Sequence, residues 1–195
     1  MKILRPIIFS SLLAILTLNS FAQRIRVIEG TVPADLKNEQ SINTEFTYDN
    51  MGVGKFDKED DYVNNKKDEY NKKEAGKGDT WAKKWVEDRT QRFEPKFDEL
   101  FSKNTDFKID NKAKYTLILH TIFTEPGFNA IAIRKSAYIN AEILIVETAN
   151  KSKVLAKLSI DKSPGNAMWG NDYDTGERIS ESYAKAGKSL GKYIK

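Results

Sequence analysis

Apolar residues in this chain follow two rhythms, one suited to strands and one to helices. Arg24-Ile25-Arg26-Val27-Ile28 alternates polar with apolar, and Gly30 ends the run. Ile42 to Tyr48 alternates again, with Ile42, Thr44, Phe46 and Tyr48 on one face, before a turn-forming stretch that holds Asp49, Asn50, Gly52 and Gly54. Tyr115 to Phe123 is apolar on both faces, as a central strand requires. Ala137 to Thr148 places Ala137, Ile139, Ala141, Ile143 and Ile145 on one face and Tyr138, Asn140, Glu142, Leu144 and Val146 on the other. Ala149-Asn150-Lys151-Ser152 reads as a hairpin turn, and Val154 to Asp161 as the strand that follows it. These strands predict an antiparallel meander over 115–161. Between its first two strands lies a detour, Phe128 to Ser136, entered through Pro126-Gly127, which suit the central positions of a type II turn.

The helical rhythm occupies the gaps. Residues 57–75 are dense in charge, yet Tyr62, Val63 and Tyr70 fall within about 100° of a helical wheel, and the acid-before-base pairs Asp68–Lys72 and Glu69–Lys73 have the favourable spacing. Gly76-Lys77-Gly78 ends that helix, and Asp79 or Thr80 is the expected cap of the next. Trp81, Trp85, Phe93, Phe97 and Phe101 then form a four-residue ladder that also holds Arg89. Such a ladder drifts about 40° per step on an α-helix. Pro95 is expected to correct the drift by breaking the helix into pieces over roughly 80–93 and 95–102. Near the C-terminus, Thr175 is the expected N-cap of a helix with Ile179, Tyr183, Ala186, Leu190 and Ile194 on one face. The pattern as a whole predicts one α+β domain over residues 23–195. It consists of an antiparallel sheet, the 115–161 meander plus the N-terminal strands, packed largely on one face by helices that include the amphipathic C-terminal one.

The first residues change the picture of location. Lys2 and Arg5 precede the apolar run Ile7 to Leu18, and Ser20-Phe21-Ala22 offers small residues at the two positions a signal peptidase reads. The run is shorter than the roughly 20 residues of a membrane-spanning helix. Residues 1–22 are therefore expected to be a cleaved signal peptide, and the rest periplasmic or secreted. The chain has no cysteine. Lipidation at cysteine and disulfides are thus both excluded, and the fold must rest on its hydrophobic core. The formal charge of +4 loses two units with the leader. So small a balance does not point to nucleic acid.

The motifs that look chemical have plainer readings. Ala186-Gly187-Lys188-Ser189-Leu190-Gly191-Lys192 contains the ending of a phosphate-binding loop, but the first glycine of that motif should stand where Ser182 does. The segment also lies mid-helix, where backbone N–H groups are already bonded. Gly187 and Gly191 are better explained as an approach of the helix backbone to the sheet. His120, the one histidine, lies in an apolar strand without a nucleophile–base set around it. Asp172-Tyr173-Asp174-Thr175-Gly176-Glu177 resembles a calcium loop in spacing, but Ser182 replaces the bidentate acid such a loop needs. Asn150-Lys151-Ser152 is a sequon that matters only in a glycosylating host.

Several stretches resemble a family of uncharacterised exported proteins from Bacteroidota. They are Ala113-Lys114-Tyr115-Thr116-Leu117, Glu125-Pro126-Gly127-Phe128-Asn129, Ala137 to Glu142, Gly176-Glu177-Arg178-Ile179, Tyr183 to Lys188 and Gly76 to Trp81, together with the cleavage signature Ser20-Phe21-Ala22-Gln23. That resemblance spans most of the chain after the leader and implies no activity or site residues. At the level of fold, the strand-rich body closed by a C-terminal helix is similar to α/β modules of envelope assembly proteins. Examples are the curli-secretion lipoprotein, from which this chain departs in lacking a lipidated cysteine, and the N-terminal domain of the Tol-Pal propeller protein. Those modules bind partners and do not catalyse.

These readings predict a non-enzymatic exported module that binds an envelope or secreted protein partner, without cofactor or metal. Ile131 and Ile133 in the detour, and Trp169 and Tyr173 in the loop 163–174, are the candidate contact residues. The alternatives are a binder of a small ligand held between sheet and helices, and a secreted glycan hydrolase using Asp172 and Asp174 beside Trp169.

Overall fold

A computed structural model describes residues 23–130, 133–165 and 172–195. The expected leader, Ile131 and Trp169 lie outside them. The chain runs β1 (Arg24–Gly30), β2 (Ser41–Thr47), β3 (Gly52–Val53), α1 (Glu59–Lys73), α2 (Lys77–Asp88), a five-residue π turn (Arg89–Phe93) and α3 (Glu94–Thr105). It continues with β4 (Lys108–Ile109), β5 (Tyr115–Glu125), β6 (Phe128–Asn129), β7 (Arg134–Lys135), β8 (Tyr138–Glu147), β9 (Asn150–Pro164) and α4 (Gly176–Ile194).

The sheet has the order β1-β9-β8-β5-β2-β4, with β3 beside β5 further along. Strands β5, β8, β9 and β1 pair antiparallel, as the meander predicts. The fully antiparallel sheet expected from the sequence is corrected on the other side. There β2 runs parallel to β5, from Asn43↔Thr116 to Thr47↔His120, and β3 and β4 are also parallel to their neighbours. The reason is the connection. The chain from β2 to β5 passes through α1, α2 and α3, and a long helical crossover returns a strand in the same direction as the one it left. The sheet is therefore mixed and the fold remains α+β.

One face of the sheet carries Leu117 and Leu119 of β5, Ile143 and Ile145 of β8, and Leu158 and Ile160 of β9, all buried in one core with Tyr183 and Leu190 of α4. Within the helical layer the aromatic ladder is buried along its length, from Trp81 to Phe101. Phe93 stacks on Tyr183 with ring centroids 5.0 Å apart, and Phe97 stacks on Phe101 at 5.8 Å. Pro95 does not break the helix as expected. Instead the Glu94 N–H reaches back five residues to the Arg89 carbonyl, and the helical path continues into α3. A plain α-helix would carry Phe101 about 200° away from Trp81, and one extra residue wound into a turn removes about 100° of that drift. Pro95, with no N–H to donate, sits at the start of α3 where a donor is not required.

The glycines of α4 face a different neighbour from the expected one. A methyl group on Gly187 would lie 2.3 Å from the Phe97 carbonyl oxygen, and one on Gly191 3.0 Å from that of Phe101. The close approach is to α3, not to the sheet. Lys188 points to solvent. The phosphate-loop lookalike is thus a helix–helix contact in which two missing side chains let two backbones meet.

Candidate functional site: a clamped hairpin and the loop beside it

Strands β6 and β7 leave the main sheet and pair only with each other. Phe128 stands opposite Lys135 and Asn129 opposite Arg134, and Ala130 and Ile133 exchange backbone hydrogen bonds of 3.0 and 3.2 Å. The period of two places Phe128, Ala130, Ile133 and Lys135 on one face of this hairpin. Ile133 is 65% exposed and Phe128 38% exposed. Ile133 is the most exposed of the large apolar residues among those described.

The base of the hairpin is held by polar groups, in contrast to the exposed Ala130 and Ile133 beyond it. Pro126-Gly127 forms the entry turn. Gly127 has φ +66°, and a methyl group there would lie 2.4 Å from the Lys135 carbonyl oxygen, so only glycine fits. Glu125, 7% exposed, accepts from the Gly127 N–H at 3.1 Å and from the Lys135 ammonium. Arg178, from the first turn of α4, is fully buried. It donates to the carbonyls of Pro126 and Gly127 and, at 3.0 Å, to the Asp172 carboxylate. That same Asp172 oxygen accepts from the Asn129 N–H at 3.1 Å. A buried cation is tolerated only when its donors are satisfied, and here they are spent on holding the hairpin to the helix.

The loop before α4 is tied down in turn. Tyr70 donates to the Asp172 carbonyl at 2.8 Å, and burial, reinforced by the charges of Glu69 and Asp172, pushes its hydroxyl up to about 12. Asp174 takes Arg92 through both carboxylate oxygens and Lys84 through one. Burial raises the Asp174 carboxyl, but the hydrogen bonds from Lys84 and Arg92 outweigh it and leave the group below its ordinary value. Asp88, buried beneath, is raised by desolvation despite Arg92 at 3.1 Å. Asp172 and Asp174, the acids of the calcium-like and hydrolase readings, are therefore both engaged by protein cations. No group of three or more potential ligating His, Cys, Asp or Glu side chains occurs among the described residues.

Of the contact residues expected from sequence, Ile133 stands at the exposed end of the hairpin. Tyr173 is half-buried against the helical layer, with its ring 5.1 Å from that of Tyr70 and its hydroxyl donating to the Lys77 carbonyl at 3.3 Å. Asp172 joins the two regions, since its side chain holds the hairpin and its carbonyl holds α1. Sequence reasoning missed Arg178, Glu125 and Asp172 as the base of this unit. The available signal was the run of small residues in α4 (Gly176, Ser180, Ser182, Ala184), all buried with Arg178. Small residues all around a helix mean it is enclosed on several sides, and a charge among them must have a partner.

A second feature lies where β2 ends. The chain leaves β5 between Thr47 and Gly52, opening a cavity of about 470 Å³ lined by Tyr48, Asp49, Met51, Glu59, Asp60 and Arg89. Arg89 donates to both Glu59 oxygens and lies 4.2 Å from the centre of the Tyr48 ring. His120, on the sheet face away from the helices, bonds Thr47 at 2.9 Å through Nδ1.

No helix among the described residues is long and apolar enough to cross a membrane. No family model and no curated protein matches the chain, so neither the resemblance to exported Bacteroidota proteins nor that origin gains support. Among solved structures, the chain is similar to the PelC dodecamer from Paraburkholderia phytofirmans, with a TM-score of 0.40 and 8% identity over 85% of this chain and 96% of that one. A single-residue variant of the same dodecamer gives a TM-score of 0.36 and 8% identity over 84% and 96%.

Proposed function

We propose that this chain is a non-enzymatic exported module that binds an envelope or secreted partner through the β6–β7 hairpin. The observation that supports it is the contrast within that hairpin. Its base is fixed by Glu125–Lys135 and by Asp172 bonding both Asn129 and Arg178, while Ile133 and Phe128 are left open to water. Ordering a segment so firmly only to expose apolar side chains disfavours the free protein, and contact with a partner would recover that loss. The test is mild crosslinking in the native envelope followed by affinity purification of the parent and of Ile133→Asp. The adduct should fall several-fold in the variant while its thermal melting stays within about 2 °C of the parent, as for an exposed substitution. An undiminished adduct from the folded variant would remove the hairpin from the interface.

A second reading, binding of a small ligand, draws on the cavity at the end of β2. Its volume lies in the range of small-molecule sites, and Glu59 and Arg89 are already ordered across its wall. Heat stabilisation by a metabolite library, abolished by Arg89→Met, would support it. Stabilisation that survives the substitution would place the ligand elsewhere.

A further inference from the structure

We infer that the open edge of β1 in one copy of this chain pairs with the open edge of β2 in the next, so that the sheet continues from copy to copy. Among the described residues β1 has β9 on one side and no strand on the other. Short β4 covers β2 only at Ser41 and Ile42, which leaves Asn43 to Thr47 with β5 on one side alone. The carbonyls of Gln40 and Ile42 point outward, to the N–H groups of Lys108 and Asp110. The period of two turns the backbone groups of Thr44 and Phe46 the same way, and they meet no partner among the described residues. At the other edge, the Leu155 carbonyl accepts from the Thr31 N–H, so Ser159, four residues on, also faces β1. Arg26, opposite Ser159, therefore bonds to β9, and its neighbours Ile25 and Val27 turn outward. Unpaired rows of this kind are templates for another strand, and neither stretch contains proline.

Direction, face and charge match these two edges to each other. β5 is antiparallel to β8, β8 to β9 and β9 to β1, while β2 is parallel to β5, so β1 and β2 run in opposite directions. A copy added with its helices on the same side keeps its strand directions, and its β1 meets β2 antiparallel. Ile25 and Val27 stand opposite Ile160 and Leu158, on the helix side of the sheet, and Thr44 and Phe46 stand beside Leu117 and Leu119 on that same side. One register then brings outward groups and like faces together: Val27 opposite Thr44, Arg26 opposite Glu45, Ile25 opposite Phe46 and Arg24 opposite Thr47. Sliding by two residues would carry Val27 to Ile42, which β4 already covers, or Ile25 past Thr47, where β2 ends. The surviving register sets an aliphatic side chain against an aromatic one and a cation against an anion. It also covers Val27, which is 43% exposed in the single chain. Arg26 already pairs with Asp161 at 3.3 Å and Glu45 with Lys151, all at the surface, so the joint links two ion pairs without breaking either. Since the two edges differ, the contact is head-to-tail and can repeat.

The test uses the chain from Gln23 onward, which contains every described strand and helix. Sedimentation velocity over about 5–500 µM, a span that brackets weak association, should show the mass of the parent growing with concentration. Arg26→Glu and Glu45→Arg each place like charges across the joint. Each should weaken association about tenfold while melting as the parent does. Mixing the two variants in equal parts should restore assembly, because each then meets the opposite charge at both edges. Ile133→Asp should assemble like the parent, which separates this contact from the hairpin. A parent that stays monomeric throughout, or charge variants that assemble as it does, would overturn the proposal. Association lost in Arg26→Glu but kept in Glu45→Arg would mean that β1 pairs with itself, and would overturn it as well. So would a mixture of the two variants that stays monomeric.

Discussion

Adding a single methyl group at Gly187 tests the account of the α3–α4 contact. In an isolated helix the change from glycine to alanine stabilises by about 1 kcal/mol. Here the new carbon would lie 2.3 Å from the Phe97 carbonyl oxygen, 3.0 Å from its carbonyl carbon and 3.1 Å from the Phe101 nitrogen. All three are backbone atoms of α3, so no side chain can swing away to make room. Relief needs a separation of α3 from α4 of roughly 1 Å, and gaps of that size forfeit a quarter to a half of each dispersion contact across them. Phe97, Phe101 and Leu190, all buried, lie along that seam. Overpacking of this kind costs about 1–3 kcal/mol, and loosening of the seam adds to it. Gly187→Ala should therefore destabilise by about 2–3 kcal/mol, which lowers the melting temperature by roughly 5–10 °C in a chain of this size. Gly191→Ala, whose methyl would meet the Phe101 carbonyl oxygen at 3.0 Å, should cost less. Lys188→Ala, on the exposed side, should change little. The measurement is thermal and urea unfolding of the three variants beside the parent. A Gly187→Ala protein as stable as the parent, or more so, would refute the close-approach argument. Stabilisation of the parent by pyrophosphate, lost in Lys188→Ala, would revive the phosphate reading.

Asp98 on α3 is pushed up to about 6, first by burial, with Glu94 one turn away adding to the shift and a hydrogen bond from Thr44 opposing it. A carboxyl higher in the folded state than its unfolded value near 4 binds more protons when folded, so stability falls as pH rises from about 4 to 6 and then levels off. Asp98→Asn should remove that slope and, after allowance for solvent screening of a half-buried group, raise stability at pH 7 by about 1 kcal/mol. Parallel urea titrations at pH 4.5 and 7 that give the same difference between variant and parent would contradict this. Arg178→Met should cost about 3 kcal/mol, since it leaves the Asp172 carboxylate and the Pro126 and Gly127 carbonyls without their buried donor. The amide resonances of 128–135 should shift most, and a loss under about 1 kcal/mol would show that the guanidinium does not hold the hairpin. Deleting exposed Gln91 together with Pro95→Ala should leave a folded protein, because the turn it shortens already holds one residue too many. Deleting exposed Glu99 from α3 should unfold the chain, and comparable circular dichroism from the two deletions would count against the phase argument.

Most elements of the fold were legible because their periods are long and clean. Ile139 to Ile145 and Ile179 to Ile194 each repeat enough times to fix a face, and those faces are the buried ones. Strand direction was not legible from the same signal, because Ile42, Thr44 and Phe46 alternate identically whether β2 runs with β5 or against it. The helical run between them was the clue to a parallel return. The turn at 89–93 was hidden for a different reason. A four-residue ladder and a proline fit both a broken helix and an overwide one, and only the Arg89–Glu94 backbone bond distinguishes them. At the candidate site, Ile133 was readable as an aliphatic residue in a detour. Its clamp was not, since Glu125, Asp172 and Arg178 belong to three separated segments that meet only after folding.

The overwide turn gives this chain a place where its length can change without changing its shape. One residue fewer between Val86 and Glu94, with Pro95 replaced, would restore ordinary winding and still leave Trp81, Trp85, Phe97 and Phe101 on a common side. The same loss a few positions later would rotate Phe101 away from α4. Insertions and deletions among descendants of this sequence are therefore expected to collect at 89–93, where the reading frame of the helix can slip by one, and to be purged from α3, where it cannot.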